Sequence, residues 1–396
     1  MEKKGKQGWI IVFVASFLAL SASYAQYQLS PIAMAFMEQY GFTTAQYSSI
    51  FSAPLISNIF LCLIAGMIID KYGIKKVVMI GVVLSAVGIC GRMFVEGYSA
   101  LWICMVLSGM SVMFLNSCSS KLFGSFFSPA KVGIAMGVFC ATTQLTMTVA
   151  VASTAMLPSV RTAFVIASAI SVVAVILWGA LMKEPQVSKE QQKQQVSMGK
   201  CLKVVCKSWR LWIISVILIC LMAANVGVNS FLPTALTERG VDTISAGVYS
   251  SALTFGNVFG SLLSPAIAAK IRNTKLTMLI FATIAALGTA FAWMMPVGVV
   301  MVIAFFATGF SMGSLMPLTL PLPLRLPEIG PTYAATAGGM VTTLEMLAAS
   351  FLPSQVFIPL SGGNMKLFFI MNGILFAIAF LAVAILPNFE KLEQKR

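Results

Sequence analysis

The chain has no histidine, and only 10% of its 396 residues are charged. Soluble domains usually carry about 25%. Without histidine, the usual zinc sites and most neutral-pH base catalysis lose their customary side chain. Eight cysteines are present, but no two form a C-x-x-C pair. Most fall in oily runs and read as small packing residues. There is no Walker loop, no G-x-S-x-G elbow and no polar stretch long enough for a soluble catalytic domain. Neither an enzyme nor a metal or organic cofactor is expected.

What the chain has instead is apolar length. It is 59% hydrophobic, with a mean hydropathy of +0.92. A membrane-spanning helix needs roughly 20 apolar residues. Twelve runs meet that need, near 9–30, 45–69, 77–95, 100–120, 132–156, 162–182, 211–236, 245–269, 276–295, 298–320, 332–357 and 367–387. The reading is an all-α membrane protein of twelve transmembrane helices, numbered here as spans 1 to 12. The first run follows a basic start and precedes a small-x-small site at Ser23 and Ala25, as in a signal peptide. Its partner in the second half of the chain identifies it as an uncut first span.

A net charge of +14 suggests nucleic acid until its distribution is followed. With the N-terminus inside and the spans alternating, only Arg92, Arg161, Arg239 and Lys366 of the 26 basic residues fall outside. The positive-inside rule accounts for this asymmetry. The expectation is a multi-pass protein of the cytoplasmic membrane with both termini cytoplasmic, in contact with lipid and with no nucleic-acid partner.

The chain repeats itself. "SAPLISNIF" at 52–60 and "SALTFGNVF" at 251–259 share Ser, Ala, Asn and Phe at an offset of 199. The same offset takes Gln26 to Asn225, Gly41 to Gly240, Lys71 to Lys270 and Lys76 to Lys275. At 201, Gly137, Thr142 and Gln144 of span 5 meet Gly338, Thr343 and Glu345 of span 11. Two pseudo-symmetric six-helix halves are predicted, 1–182 and 210–396, with a cytoplasmic linker at 183–209. The linker opens on the Gln-rich "KEPQVSKEQQKQQVSMGK". Lys200, Lys203 and Lys207 share one side of a short helix before Trp209. That helix either lies on anionic lipid or simply flanks span 7 with charge.

Between spans 2 and 3 stands "AGMIIDKYGIKKVVMIG" at 65–81. Gly66 lets two helices approach closely. Gly73 suits the left-handed turn that reverses the chain after a helix. Asp70 sits at the membrane edge, where it can meet a basic side chain or the positive end of a facing helix. The lysines hold the loop inside.

Twelve spans, duplicated halves and this G-x-x-x-D-x-x-G-x-K-K loop resemble the major facilitator superfamily. The resemblance covers the whole chain and rests on Gly66, Asp70, Lys71, Gly73, Lys75 and Lys76. The second-half copy is degraded, with Ala269 at the aspartate position and Arg272 at the second glycine. The resemblance implies a monomer in which this loop is a conformational latch. It holds the halves when the outward gate is open and breaks when the protein opens inward. "KLFGSFFSPAKVGIAMG" at 121–137 matches a second family run, with Lys131 where Arg is common. Gly133/Gly137, Gly256/Gly260 and Gly309/Gly313 form small-x-x-x-small faces for helix packing.

Polar groups at mid-membrane are costly and invite a functional reading. Of the 12 acids, only Glu345 falls about halfway along a span, and no Lys or Arg shares its depth. Such a carboxyl suits a proton carrier or a counter-ion for a cationic solute. A neutral Glu bridging two helices is the plainer alternative. The resemblance places the solute cavity on spans 1, 4, 7 and 10, with help from 2, 5, 8 and 11. There the candidates are Tyr24, Gln26, Tyr27 and Gln28, then Asn58, Asn116, Gln144, Asn225, Asn229 and Asn257. About half of these amides would only bridge helices. Pro54, Pro233 and Pro317 are candidate kinks. An amide-rich cavity with one acid and no base argues against strong anions. Sugar-porter loops and the span-5 drug-antiporter motif are not found. The general texture is similar to bacterial small-solute porters. The expected function is proton-coupled uptake of a small organic solute, with monocarboxylates and zwitterions in range. An uncoupled facilitator or a solute antiporter or efflux protein is the alternative.

Overall fold

The computed structural model describes residues 2–154, 156–157, 159–182, 198–362 and 364–389. The basic residues Lys183, Lys189, Lys193, Lys391, Lys395 and Arg396 lie outside the described residues, as do Glu184, Glu190, Glu390 and Glu393.

Twelve helices are long and apolar enough to cross a membrane. They are Lys6–Tyr27, Ala45–Tyr72, Ile74–Gly91, Tyr98–Gly124, Lys131–Thr154 and Val160–Leu181, then Trp209–Glu238, Ser245–Ile271, Thr274–Met294, Val299–Arg325, Gly330–Ser361 and Met365–Ile385. All twelve expected spans are present, so this is a multi-pass membrane protein. On span 3, Ile80, Val83 and Val87 stay exposed at helical spacing. A helix in hydrocarbon satisfies its own backbone and can leave such a stripe to lipid.

Local chemistry sets where the spans begin. Thr43 and Gln46 form a capping box before span 2: Gln46 N–H donates to Thr43 Oγ1, and Thr43 N–H to Gln46 Oε1 at 2.9 Å. At an offset of 199, Asp242 caps span 8 by accepting from Ser245 N–H at 3.0 Å. Just upstream, Gly41 and Gly240 both have positive φ, +67° and +81°. The repeat therefore extends from residue identity to backbone conformation.

Three features break the run of plain spans. A short helix, Ala33–Tyr40, follows span 1 and buries Phe36 against Tyr40, Phe42, Tyr47 and Phe164. Span 4 is interrupted at Gly109, and span 11 passes through a π-helical turn, Leu352–Phe357, around Pro353. The chain stays α-helical through Pro54, Pro233 and Pro317.

By contact, the chain divides into two compact units. One comprises Met1–Ser128, Thr142–Val205 and Ile329–Thr343; the other comprises Pro129–Ala141, Cys206–Glu328 and Leu344–Arg396. Each unit thus takes in the start of one span from the opposite half of the sequence. The first holds a cluster of Leu29, Phe36, Ile50, Leu101, Met105 and Phe164. In the second, the glycine pairs of spans 8 and 10 meet each other. A Cβ on Gly256 or Gly260 would strike the carbonyl of Phe306 or Phe310, and one on Gly309 or Gly313 that of Leu253 or Asn257.

Candidate functional site

The first unit holds the loop motif. Gly73 separates spans 2 and 3 as a single residue at φ +92°, its N–H bonded to Ile69 O at 3.0 Å. This is positive-φ backbone but not a left-handed helical turn, and a side chain there would be strained. A Cβ on Gly66 would collide with the Ala335 carbonyl, and one on Gly339 with that of Cys62. Spans 2 and 11 therefore run almost backbone to backbone.

That closeness puts Asp70 against span 11. Its side chain is wholly buried. Oδ1 accepts from Lys121 Nζ at 2.5 Å and from Ala335 N–H at 3.3 Å. Oδ2 accepts from Thr336 N–H at 2.8 Å and from the Thr336 hydroxyl at 2.6 Å. Four donors, one of them cationic, saturate the carboxylate. The loop's own lysines do not take part. Lys71 is exposed over the Tyr72 ring, 5.0 Å from its centroid, and Lys76 is exposed. The Lys75 carbonyl accepts from the Trp178 indole at 3.2 Å. The basic partner comes from the end of span 4, fifty-one residues on.

The polar residues of the spans divide by unit. In the first, Tyr24 pairs with Ser153 at 2.9 Å. Gln26 donates to Phe51 O at 3.0 Å, and Tyr27 lies edge-on to Phe51. Asn116 donates to Asn58 Oδ1 at 3.2 Å, while Asn58 donates to Pro54 O. Gln144 is half-buried. Gln28 is packed inside the first unit. It is fully buried, and its amide lies between Ala163 O at 3.0 Å and Arg92 Nη2 at 2.9 Å, in the orientation that satisfies both. Arg92, 1% exposed, also donates to Ala25 O at 2.7 Å and Ile89 O at 3.3 Å, and covers the Phe164 ring. Its charge thus rests on carbonyls at the ends of spans 1 and 3, where helix dipoles are negative. Burial lowers its ionisation to about 10, so it remains a cation. Sequence spacing made Arg92 a loop residue and Gln28 a cavity residue. In the structure they are one packed node.

In the second unit, Asn229 donates to the carbonyl and side-chain oxygen of Asn225 at 2.8 and 3.0 Å. Asn257 is buried, its backbone close against Gly313. Glu345 is 4% exposed, and its Oε2 has no hydrogen-bond partner among the described residues. Cys140 of span 5 is its electrostatic neighbour. Sequence reasoning passed over Asn372 of span 12, fully buried with Oδ1 unpartnered beside Gly227. Among so many apolar neighbours, nothing in its spacing set it apart.

The sequence profile of the Major Facilitator Superfamily matches residues 12–353. An uncharacterized transporter of Bacillus subtilis (strain 168), YycB, is 21% identical over 368 residues, covering 89% of this chain and 86% of that protein. The Escherichia coli fucose:proton symporter FucP superposes with a TM-score of 0.77 at 16% identity, over 95% of this chain and 98% of its own. The proton:xylose symporter XylE does so at 0.72 and 15%, over 99% of both chains. A human organic anion transporter gives 0.74 and 14%, over 95% of this chain and 99% of its own. With twelve apolar spans, the loop motif in place and a family match over most of its length, this chain belongs to the Major Facilitator Superfamily and is a membrane transporter, not an enzyme.

Proposed function

We propose that the protein takes up a small organic solute together with a proton, by alternating access across the cytoplasmic membrane. The observation that carries this reading is Glu345, an acid buried within a span with one carboxyl oxygen unpartnered. A carboxyl in hydrocarbon is tolerated when neutral and can lose its proton when water reaches it. A site that wets on one side and then the other would load and release that proton in step with solute. The named activities of FucP and XylE, proton symport of fucose and xylose, support the coupling.

Tyr24, Gln26, Tyr27, Asn116, Gln144, Asn225 and Asn229 are the proposed solute contacts. Each retains some exposure or hydrogen-bonding capacity to offer. Amides and phenols suit hydroxyls, a neutral carboxylic acid or a zwitterion better than a strong anion. Asp70, with Lys121 and Thr336, is the proposed latch, which has to break for the protein to open on that side.

The test is uptake into proteoliposomes with internal pH recorded. The panel spans monocarboxylates, amino acids, betaines, L-fucose and D-xylose. The expected result is one class entering with acidification of the lumen. Solute entry with no pH change would discard the coupling and leave a facilitator or exchanger.

A further inference from the structure

We propose that the elbow between the helix Met198–Lys207 and span 7 is a binding site for a phospholipid with an anionic head group. Lys203 and Lys207 take its phosphate, and Leu202 and Trp212 take the start of its chains. The proposal rests on no reading of the solute or of the proton.

The helix does not enter lipid by a wholly apolar face, because Cys201 and Val205 on that face are fully buried. Its other face is exposed and mixed. Leu202 and Cys206 stand on it one turn apart, and Lys203 and Lys207 stand beside them one turn apart. At 3.6 residues per turn these four positions fall within about 140° of arc. An apolar edge thus runs beside a cationic one. Neither lysine has a carboxylate partner among the described residues. Other cations of the chain are already engaged: Lys121 by Asp70, and Lys275 by the Ala384 and Leu386 carbonyls at 2.6 Å.

The corner itself is fixed. Only Ser208 separates the helix from Trp209, where span 7 begins. The Ser208 hydroxyl caps span 7 by accepting from Leu211 N–H, and donates to Glu328 Oε1 at 3.0 Å. The Trp212 indole N–H donates to the Cys206 carbonyl at 2.9 Å, which satisfies an end carbonyl of the helix. Trp209 and Trp212 nevertheless remain 56% and 44% exposed. An exposed indole at the start of a span, its N–H satisfied, suits the boundary between head groups and chains. Arg210 is occupied: it reaches Glu328 Oε2 at 3.4 Å and lies over the Trp209 ring, 5.6 Å from its centroid. Glu328 is likewise held by Ser208 and Arg210. What the corner offers a ligand is therefore two free lysines beside exposed apolar surface. A choline or ethanolamine head group would bring a further cation to those lysines, and a phosphatidylglycerol head group brings none.

The experiment is quenching of tryptophan fluorescence in the purified full-length protein, held in phosphatidylcholine nanodiscs. Brominated phosphatidylglycerol or brominated phosphatidylcholine replaces the host lipid stepwise. The signal of the elbow is the part of the quenching lost in Trp209→Phe/Trp212→Phe. In the native protein that part should reach half its maximum at about 5-fold less brominated phosphatidylglycerol than brominated phosphatidylcholine. Lys203→Gln/Lys207→Gln, at two exposed positions, should make the two lipids equal, and Lys203→Arg/Lys207→Arg should keep the difference. Equal quenching of the elbow by both lipids in the native protein would overturn the proposal. So would a phosphatidylglycerol preference that survives Lys203→Gln/Lys207→Gln, since the anion would then be held elsewhere.

Discussion

Two helix crossings in this protein meet the same steric need with different parts. Where span 2 meets span 11, each helix brings a glycine: Gly66 lies against the Ala335 carbonyl and Gly339 against that of Cys62. Where span 8 meets span 5, the position equivalent to Gly66 is Pro265, and the glycines are on span 5. A Cβ on Gly137 would strike the Ser261 carbonyl, and one on Gly133 would stand 3.3 Å from Pro265. Both crossings need close backbones; the first takes glycines from both helices and the second takes them from span 5. Only the first adds a charge. Its Asp70 is saturated by four donors, while Ala269 at the matching position is exposed. The steric requirement is met twice and the ionic one once, so the electrostatic energy at these crossings is concentrated on one set of contacts that can be made and broken.

The largest expected effect breaks that asymmetry directly. Asp70→Ala strands Lys121 with no anion and should cost about 3 kcal/mol of stability, seen as a lower melting temperature in detergent. Ala269→Asp, at an exposed position, should stay within about 0.5 kcal/mol. Equal costs for the two would mean the charged crossing is not special.

Next come the contacts themselves. Gly66→Ala and Gly137→Ala both drive a methyl into a carbonyl and should each cost roughly 1–3 kcal/mol. Gly133→Ala, whose Cβ would stand 3.3 Å from the Pro265 side chain, should cost less than either. A thermal melt of the three variants ranks them, and the lowest melting temperature for Gly133→Ala would refute the packing account.

The smallest effect has the opposite sign. Arg272, the counterpart of Gly73, is the one non-glycine residue with positive φ among the described residues, at +57°. Arg272→Gly should stabilise by about 1 kcal/mol, since a side chain in that region is strained. A lower melting temperature would show that the arginine side chain contributes more than its backbone costs.

Much of this was legible from one sequence, for physical reasons. Spans must be long and apolar, so hydropathy alone found all twelve. Glycine has few reasons to recur at i, i+4 in a span except close packing, and Gly256/Gly260 met Gly309/Gly313. Asp70 was readable as a carboxylate seeking a cation or a helix amide, and it found both. Its cation was not readable. Five lysines stood near enough in sequence or topology, and only the fold brings Lys121 to Asp70 while Lys71 turns to Tyr72. Gln28 looked like a cavity residue because Arg92, which occupies it, looked like a loop residue. The π-helical turn at Leu352–Phe357 and the short helix at Ala33–Tyr40 depend on tertiary burial, of Pro353 and Phe36, that periodicity does not record.

The measurement that tests the central claim most directly compares native protein with Glu345→Gln in proteoliposomes, once a solute is found. Exchange of labelled for unlabelled solute is read beside uptake driven by a proton gradient. If Glu345 carries the proton, Glu345→Gln keeps exchange and loses concentrative uptake together with lumen acidification. If Glu345→Gln concentrates solute and acidifies the lumen as the native protein does, Glu345 is a packing residue and the proposed coupling site is wrong.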